Sequence, residues 1–334
     1  MRWWLKAGLE WALATAPGGV ALHSQLRERH GELANPESSS RLDNALWILE
    51  QTRPLVDRFE SLRVLELGTG WIPAIALSNM LCGARVDTCD VERLVNPRLL
   101  RICLQGIKCR LSQIAEKAGV AEQLVHDRFE LIANDQDFHS VSEKLGGSYC
   151  APFDTRNLPH DDNQVDLVLS SLVLAQVSVE SLDQVLGETL RVLKPGGVAF
   201  HRVHLGDEYS RADPNRSDLE FLKYSDQQWN RFFNHSLKYI NRLRHAHYVE
   251  KFARLGFETV WLTKQFEEPD GPQFSAERAA PEFRDLPAEE LSIVAFEVAL
   301  RKPVENSPLP TPQRSVEDPL ETGQGHIAGT PAHG

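Results

Sequence analysis

Several features are scarce in this 334-residue chain. It has 5 cysteines, and no two of them stand in a C-x-x-C arrangement. An odd number of cysteines without paired spacing is typical of free thiols in a reducing compartment. No apolar run approaches the roughly 20 residues that cross a bilayer, and Glu10 interrupts the apolar stretch near the N-terminus. The sequence therefore predicts a cytoplasmic protein with no transmembrane segment and no secretory signal.

The chain also has little positive charge. Lysine and arginine number 36 against 47 aspartates and glutamates, which gives a net charge of -11. An acidic chain is a poor match for a phosphate backbone, so we expect no nucleic-acid partner. Hydrophobic residues make up 42% and charged residues 25%, as in an ordinary globular protein.

One stretch organises the chain, Arg63 to Ser78, which reads R-V-L-E-L-G-T-G-W-I-P-A-I-A-L-S. An apolar strand is broken by Gly68 and Gly70, and the pattern then becomes helical. Glycines let the backbone approach a ligand closely, and a helix N-terminus favours polar or anionic groups. Glu66 is a carboxylate inside this apolar strand, so it requires a cationic or hydrogen-bonding partner. The pattern is typical of a nucleotide site.

The turn departs from the dinucleotide pattern G-x-G-x-x-G, because Pro73 stands at the third glycine. Twenty residues after Gly70, Asp90 closes a second strand predicted at residues 85–89. An acidic residue at this place can bind ribose hydroxyls. A nucleoside-containing cofactor other than a nicotinamide dinucleotide is therefore favoured.

Four motifs follow in order: E-L-G-T-G, then Asp90, then D-T-R-N-L-P before V-D-L-V-L-S-S, and finally R-V-L-K-P-G-G. Together they resemble the class I S-adenosylmethionine-dependent methyltransferases, nearest to the group with a generic small-molecule methyltransferase domain. The resemblance covers residues 60–205 well and 250–301 by pattern. It implies an α/β fold with a Rossmann-like doubly wound sheet, mostly parallel, whose final strand is antiparallel.

The predicted domain organisation has three parts. A helical segment spans residues 1–60, and the methyltransferase domain spans 61–302, with a helical insertion at 96–146 and a cap at 206–248. Residues 303–334 are rich in proline and glycine and lack aromatic residues, which predicts a disordered tail. We expect the insertion to contain two or three helices.

Residues 1–15 read as a short amphipathic helix with three tryptophans near Arg2 and Lys6. Two interpretations stay open for it. The helix docks on the main domain or an oligomer partner, or it makes a peripheral membrane contact. The oligomeric state is not predicted.

The resemblance implies S-adenosylmethionine as the cofactor and assigns residues to it. Glu66 would lie near the methionine amino group, and Asp90 would bind the ribose diol. The other assigned residues are Gly68, Thr69 and Gly70 in the turn, Asp154 and Thr155 at the adenine, and Ser170 at the sheet edge.

His201 and His204 are the candidate general bases, because a neutral imidazole can accept a proton at neutral pH. Their spacing of three on a strand places them on opposite sides of the sheet. We favour His204, with Asp207 available to orient it; the alternative is a structural histidine pair.

The stretch N-R-L-R-H-A-H-Y at residues 241–248 is the densest basic cluster. Arg242 and Arg244 are the candidate ligands of an anionic acceptor, and the alternative is a solvated helix face. His245 and His247 are two apart and do not share a helix face, so no metal site is predicted.

These observations predict an S-adenosylmethionine-dependent methyltransferase for a small polar acceptor, by O-methylation of a sugar or hydroxylated metabolite. One alternative is a non-catalytic S-adenosylmethionine-binding partner subunit, because Ala175 and Gln176 stand where the family commonly has a Glu-His pair. A second alternative is a nicotinamide-dependent dehydrogenase, which Pro73 disfavours.

Overall fold

The computed structural model describes residues 2–30, 38–213, 215–267 and 276–304. Residues 1–303 form one compact unit. The predicted disordered tail lies outside the described residues, except for Pro303 and Val304. Within the described ranges, no helix is both long and apolar enough to cross a bilayer.

Seven strands form one sheet in the described part of the chain. They are β1 (Arg63–Leu67), β2 (Arg85–Cys89), β3 (Ser148–Cys150), β4 (Val165–Ser171), β5 (Leu193–His204), β6 (Glu258–Phe266) and β7 (Ile293–Arg301). Their order is β3-β2-β1-β4-β5-β7-β6, and β7 is antiparallel to both of its neighbours while the other pairs are parallel. The prediction of a doubly wound sheet with an antiparallel final strand is confirmed.

The helices surround this sheet. They are α1 (Trp3–Thr15), α2 (Gly19–His30), α3 (Ser38–Thr52), α4 (Ala74–Leu81), α5 (Pro97–Lys108), α6 (Leu111–Ala118), α7 (Glu122–Glu130), α8 (Phe138–Lys144), α9 (Val179–Val192), α10 (Asp226–Phe232), α11 (His245–Leu255) and α12 (Ala288–Ser292).

Four helices, α5 to α8, lie between β2 and β3, where the sequence predicted two or three. The side chains of Asn96 and Asp137 cap the N-termini of α5 and α8. Gly119 ends α6 in the left-handed conformation, with φ of 70°. Such caps and stops divide one apolar stretch into short helices. Hydrophobic periodicity alone does not show these boundaries, so the number of helices was underestimated.

The sheet is buried on both faces. On one face, Leu167 and Leu169 of β4 belong to a core with helices α3 to α8. On the other face, Val168 joins a core with α9 and α11. A central strand covered on both sides needs apolar residues at every position, which explains the continuous apolar run of β4.

Helix α1 docks on the segment that follows β5. The ring of Trp3 lies 6.5 Å from that of Tyr209 and 6.4 Å from that of Phe233. The Arg216 guanidinium lies 3.9 Å from the centre of the Trp3 ring, and the Tyr209 hydroxyl donates to Glu10 at 3.1 Å. One side of α1 is therefore anchored to the predicted cap.

Candidate functional site

The glycine turn follows β1 at the carboxyl edge of the sheet. Gly68 and Gly70 have φ of 80° and 68°, in the left-handed region that favours glycine. A Cβ at Gly68 would lie 2.4 Å from a methyl carbon of Val173, whereas nothing lies within 4 Å of a Cβ at Gly70. The turn is therefore packed against the loop after β4 on one side and open on the other.

Glu66 is buried beside this turn, with 2% of the residue exposed. The Thr88 hydroxyl donates to its Oε2 at 2.7 Å, and the Thr69 and Thr88 hydroxyls are 2.6 Å apart. Within the described residues, no lysine, arginine or histidine forms an ion pair with Glu66. Burial raises the pKa of Glu66 to about 8, with the hydrogen bond from Thr88 opposing and the charge of Asp90 adding to the effect.

Asp90 is held in a fixed orientation at the end of β2. Its Oδ2 accepts from the backbone N–H of Gly70 at 2.8 Å, and its Oδ1 accepts from the N–H of Glu92 at 3.1 Å. The Asp90 carboxylate is therefore hydrogen-bonded to the glycine turn. Glu66 is linked to the same turn through the hydroxyls of Thr88 and Thr69.

These residues fit S-adenosylmethionine. Glu66 is a buried acid that no cation of the described residues pairs with, and the methionine part of the cofactor carries an ammonium group. Asp90 offers an oriented carboxylate to hydroxyl donors, and the open side at Gly70 leaves room for close approach. An uncompensated buried acid is costly unless a ligand completes its surroundings.

Asp154 and Thr155 follow β3. The backbone N–H of Phe153 donates to the carbonyl of Asp90 at 2.8 Å, so this segment begins beside Asp90. Asp154 itself is exposed and forms hydrogen bonds with the Arg156 guanidinium, which lowers its pKa to about 2. Its carboxylate is thus committed to Arg156, and Thr155 is half-buried.

Ser170 and His201 pair inside the core. The Ser170 hydroxyl lies 2.8 Å from Nδ1 of His201, and the histidine ring stacks on Phe252. Burial lowers the pKa of His201 to about 4, so the ring is neutral at physiological pH. Both side chains are buried on the α9 and α11 side of the sheet rather than opening onto its edge.

His204 occupies the opposite face of β5, as the strand alternation predicts. Its Nε2 has no hydrogen-bond partner in the described part of the chain. Burial, and secondarily the charge of Arg211, lower the pKa of His204 below its usual value, with Asp218 opposing. The chain folds closely over the ring, because a Cβ at Gly206 would lie 2.8 Å from its Cε1.

Asp207 does not orient His204, and this corrects the prediction. Its carboxylate accepts from Nε of Arg216 at 2.6 Å and from the backbone N–H of Tyr209 at 2.9 Å. Both members of the Asp207–Arg216 ion pair are buried. A buried guanidinium requires a counter-charge, and Asp207 supplies it.

Arg244 is a structural residue rather than an acceptor ligand. It is fully buried, and its guanidinium donates to the carbonyls of Leu205 at 2.9 Å and Leu291 at 3.1 Å, and to that of Ile293. Burial lowers its pKa to about 10. The prediction that Arg244 binds an anionic acceptor is corrected, because the side chain is fully buried and both of its Nη groups donate to backbone carbonyls.

Arg242 has a similar role in the cap. Its Nη1 donates to the carbonyl of Tyr224 at 2.6 Å, its Nη2 pairs with Asp226, and its guanidinium lies 4.9 Å from the centre of the Phe283 ring. The guanidinium is nearly enclosed, so the second predicted acceptor ligand is also structural.

Sequence reasoning missed a polar row on the α3 side of the sheet. Arg202 donates to Asn44 at 2.6 Å, Asn44 donates to the Ser171 hydroxyl at 3.2 Å, and Arg202 pairs with Glu297 at 3.3 Å. Burial raises the pKa of Glu297, and Arg202 opposes this. The available signal was a glutamate within the apolar strand β7, which is the same kind of signal that singled out Glu66.

The N-terminal helices reach the glycine turn as well. The guanidinium of Arg27 in α2 lies 5.2 Å from the centre of the Trp71 ring. Trp71 directly follows Gly70, so the side chain of Arg27 lies near the residue that leaves the turn.

Residues 119–201 match a family model described as a methyltransferase domain. This segment of the chain therefore resembles part of a methyltransferase domain, as the motifs of the sequence predicted. The matched segment of the methyltransferase domain runs from the end of α6 into β5, and it includes Ser170 and His201 but not Glu66 or Asp90. S-adenosylmethionine is the cofactor of such domains, and the predicted cofactor is supported.

Solved structures similar to the methyltransferase domain have low identity. An S-adenosylmethionine-dependent methyltransferase from Methanosarcina mazei is 13% identical, with 76% of this chain and 98% of that chain covered and a TM-score of 0.42. One from Mesorhizobium loti is 17% identical, with 78% and 99% covered and a TM-score of 0.41. The [4+2]-cyclase SpnF is 18% identical, with 78% and 81% covered and a TM-score of 0.42.

No curated protein matches the chain. At these identities and TM-scores the structural likenesses carry no functional argument. The strand order and the matched segment support the domain assignment.

Proposed function

We propose that this chain methylates a small polar acceptor with S-adenosylmethionine, by O-methylation of a sugar or another hydroxylated metabolite. The observation that carries the proposal is Glu66, a buried acid with no cationic partner in the described residues, beside the oriented carboxylate of Asp90. The free cysteines of the chain fit a cytoplasmic location.

The cofactor supplies a methyl group activated by a positively charged sulfur. The protein supplies binding and alignment. Glu66 would hold the ammonium group, Asp90 would accept from the ribose hydroxyls, and the turn at Gly68 and Gly70 would admit the cofactor close to the backbone.

Asp90→Asn is expected to weaken S-adenosylhomocysteine binding about tenfold or more, because hydrogen bonds to a charged acceptor are each worth roughly 1.5–3 kcal/mol. Asparagine retains an oxygen for the Gly70 N–H, so the turn keeps its anchor. Titration calorimetry measures the change. Asp154→Asn is the comparison, and a comparable loss there would support Asp154 as the adenine ligand instead of a surface partner of Arg156.

His204 is the general base in this proposal. Its lowered pKa keeps the imidazole neutral at pH 7, and its Nε2 is not engaged by another described residue. A neutral ring beside the acceptor would receive the hydroxyl proton as the oxygen attacks.

His204→Ala is expected to reduce turnover about 100-fold, the lower range for a general base, and to leave cofactor affinity unchanged. The wild-type rate should fall only as the pH drops below 6.5, because the base must be neutral and its pKa is lowered. A time course of S-adenosylhomocysteine release against pH measures both effects. Undiminished turnover in the variant would remove His204 from the mechanism.

The competing role is a non-catalytic partner subunit. Gln176 is occupied by a hydrogen bond to the carbonyl of Leu172 at 3.1 Å, and Ala175 carries no functional group. The segment that holds a Glu-His pair in relatives therefore offers no acid or base here. An acceptor screen distinguishes the two roles, since cofactor binding without turnover on any hydroxylated acceptor would favour the partner role.

A further inference from the structure

The hairpin formed by α1 and α2, here called the N-terminal hairpin (residues 2–30), exposes much apolar surface. Trp4 is 57% exposed, Leu5 and Leu9 are each 49% exposed, and Trp11 is 47% exposed. Val20 and Leu22 of α2 are exposed to a similar extent. These six side chains are nearly half of the 13 large exposed hydrophobic side chains in the described part of the chain.

The apolar face of α1 is continuous. Ala7, Glu10 and Leu13 mark its buried side. At 100° per residue, the remaining exposed positions form an arc of about 160° on the other side. This arc contains no charged residue, and its members are Trp4, Leu5, Gly8, Leu9, Trp11, Ala12 and Thr15.

A helix that faces water exposes its charged side chains and buries its apolar ones, whereas α1 buries its glutamate and exposes tryptophan and leucine. Its acidic side chain, Glu10, is buried and accepts a hydrogen bond from Tyr209. Thr15 donates to the carbonyl of Trp11 at 3.1 Å, so it presents no unsatisfied donor. A surface helix normally buries its apolar stripe, so this face requires an apolar covering.

The charge of the hairpin indicates which covering fits. Residues 1–30 contain four basic and two acidic side chains, a net charge of +2, so the other 304 residues carry -13. Arg2 is the N-cap of α1, and Lys6 lies within α1, where its ammonium group is 4.0 Å from the Glu10 carboxylate. Amphipathic helices with tryptophan and leucine on one side and basic residues nearby bind the interface of anionic membranes.

We infer that the N-terminal hairpin docks on a lipid surface with anionic headgroups, with Trp4 and Trp11 inserted at the interface. Tryptophan favours this region, because its ring is apolar and its N–H can still reach water or headgroups. The acidic body would face away from the lipid. Pairing of two copies through this face would instead bring two positively charged hairpins together about a symmetry axis.

Vesicle co-sedimentation of the full chain tests this inference. Vesicles of phosphatidylcholine alone are compared with vesicles that also contain phosphatidylglycerol. We expect binding to the anionic vesicles to be about tenfold tighter, because basic residues near an anionic surface are attracted to its headgroups. A blue shift of tryptophan fluorescence on binding would report insertion directly.

The variant Trp4→Ser/Trp11→Ser should reduce vesicle binding about tenfold or more, because two large apolar groups no longer enter the interface. Leu131→Ser is the matched control, since Leu131 is 60% exposed on the helical insertion and should not affect binding. Both replaced tryptophans are largely exposed, so the circular dichroism spectrum and the melting temperature should be retained.

Two results would overturn the inference. One is the absence of co-sedimentation by the folded wild-type chain with either vesicle. The other is a doubled mass in solution by light scattering that the Trp4→Ser/Trp11→Ser variant abolishes, which would identify a second copy as the occupant.

Discussion

Glu66→Gln is expected to stabilise the protein by about 5 kcal/mol above pH 8 and to leave its stability nearly unchanged at pH 4. The pKa of Glu66 is raised from 4.5 to about 8, and each pKa unit corresponds to 1.36 kcal/mol. Below pH 4.5 the carboxyl is protonated in both the folded and the unfolded chain. Between these values the folded chain binds the extra proton, so its stability falls as the pH rises.

Chemical denaturation of wild type and variant at several pH values measures this difference. Glutamine preserves the shape of the side chain and an oxygen that accepts from Thr88, and it removes the charge. Asp162→Asn, at an exposed carboxylate that pairs with Arg191, is the control and should show no such pH dependence. A constant difference between wild type and Glu66→Gln across the pH range would contradict the account of Glu66.

The same variant should bind S-adenosylhomocysteine at least about tenfold more weakly, because the ammonium group would lose its ionic partner. A gain in stability together with a loss of affinity is the mark of a residue retained for binding rather than for folding. If affinity were unchanged, Glu66 would be a structural acid and another residue would hold the amino group.

Arg244→Met is expected to lower the free energy of unfolding by about 3–5 kcal/mol. Methionine has a similar length but no donors, so the buried carbonyls of Leu205, Leu291 and Ile293 would lose their partner. Leu205 directly follows β5, Leu291 lies in α12 and Ile293 begins β7. The loss of these hydrogen bonds therefore affects the segment that leaves β5 and the segment that enters β7, which are antiparallel neighbours.

Arg254→Met provides the matched control within α11, the helix whose N-cap is Arg244. Arg254 is largely exposed and pairs with Asp183 at the surface, where ion pairs contribute at most about 1 kcal/mol. Urea unfolding of the two variants compares them directly. Equal effects would mean that Arg244 does not hold the backbone as described.

The closeness of the glycine turn and Asp90 was predictable because its signals are local. A strand, two glycines and a helix start follow each other directly between Arg63 and Leu81. One helix and one strand separate Gly70 from Asp90. The sequence therefore indicates that Gly70 and Asp90 lie at the same edge of the sheet. The bond between Asp90 and the Gly70 N–H joins two elements that the sequence already placed together.

The acceptor side was not predictable in the same way. A basic cluster in the sequence does not reveal whether its side chains point to water or to buried carbonyls. Arg244 reaches carbonyls 39 and 49 positions away in the chain, and only the tertiary structure brings them together. Asp207 and His204 are close in sequence, but this closeness gave no information on Arg216. In the fold, the buried Arg216 guanidinium needs a counter-charge and forms an ion pair with the Asp207 carboxylate.

We propose that Glu66, the glycine turn and Asp90 together hold S-adenosylmethionine. The most direct measurement is calorimetric titration of the wild-type chain with S-adenosylhomocysteine, and with NAD in a parallel titration, in two buffers of different ionisation enthalpy. We expect affinity for S-adenosylhomocysteine, no binding of NAD, and release of a proton near pH 7 as the ammonium group ionises Glu66. The absence of S-adenosylhomocysteine binding by the folded protein, or binding without proton release, would contradict it.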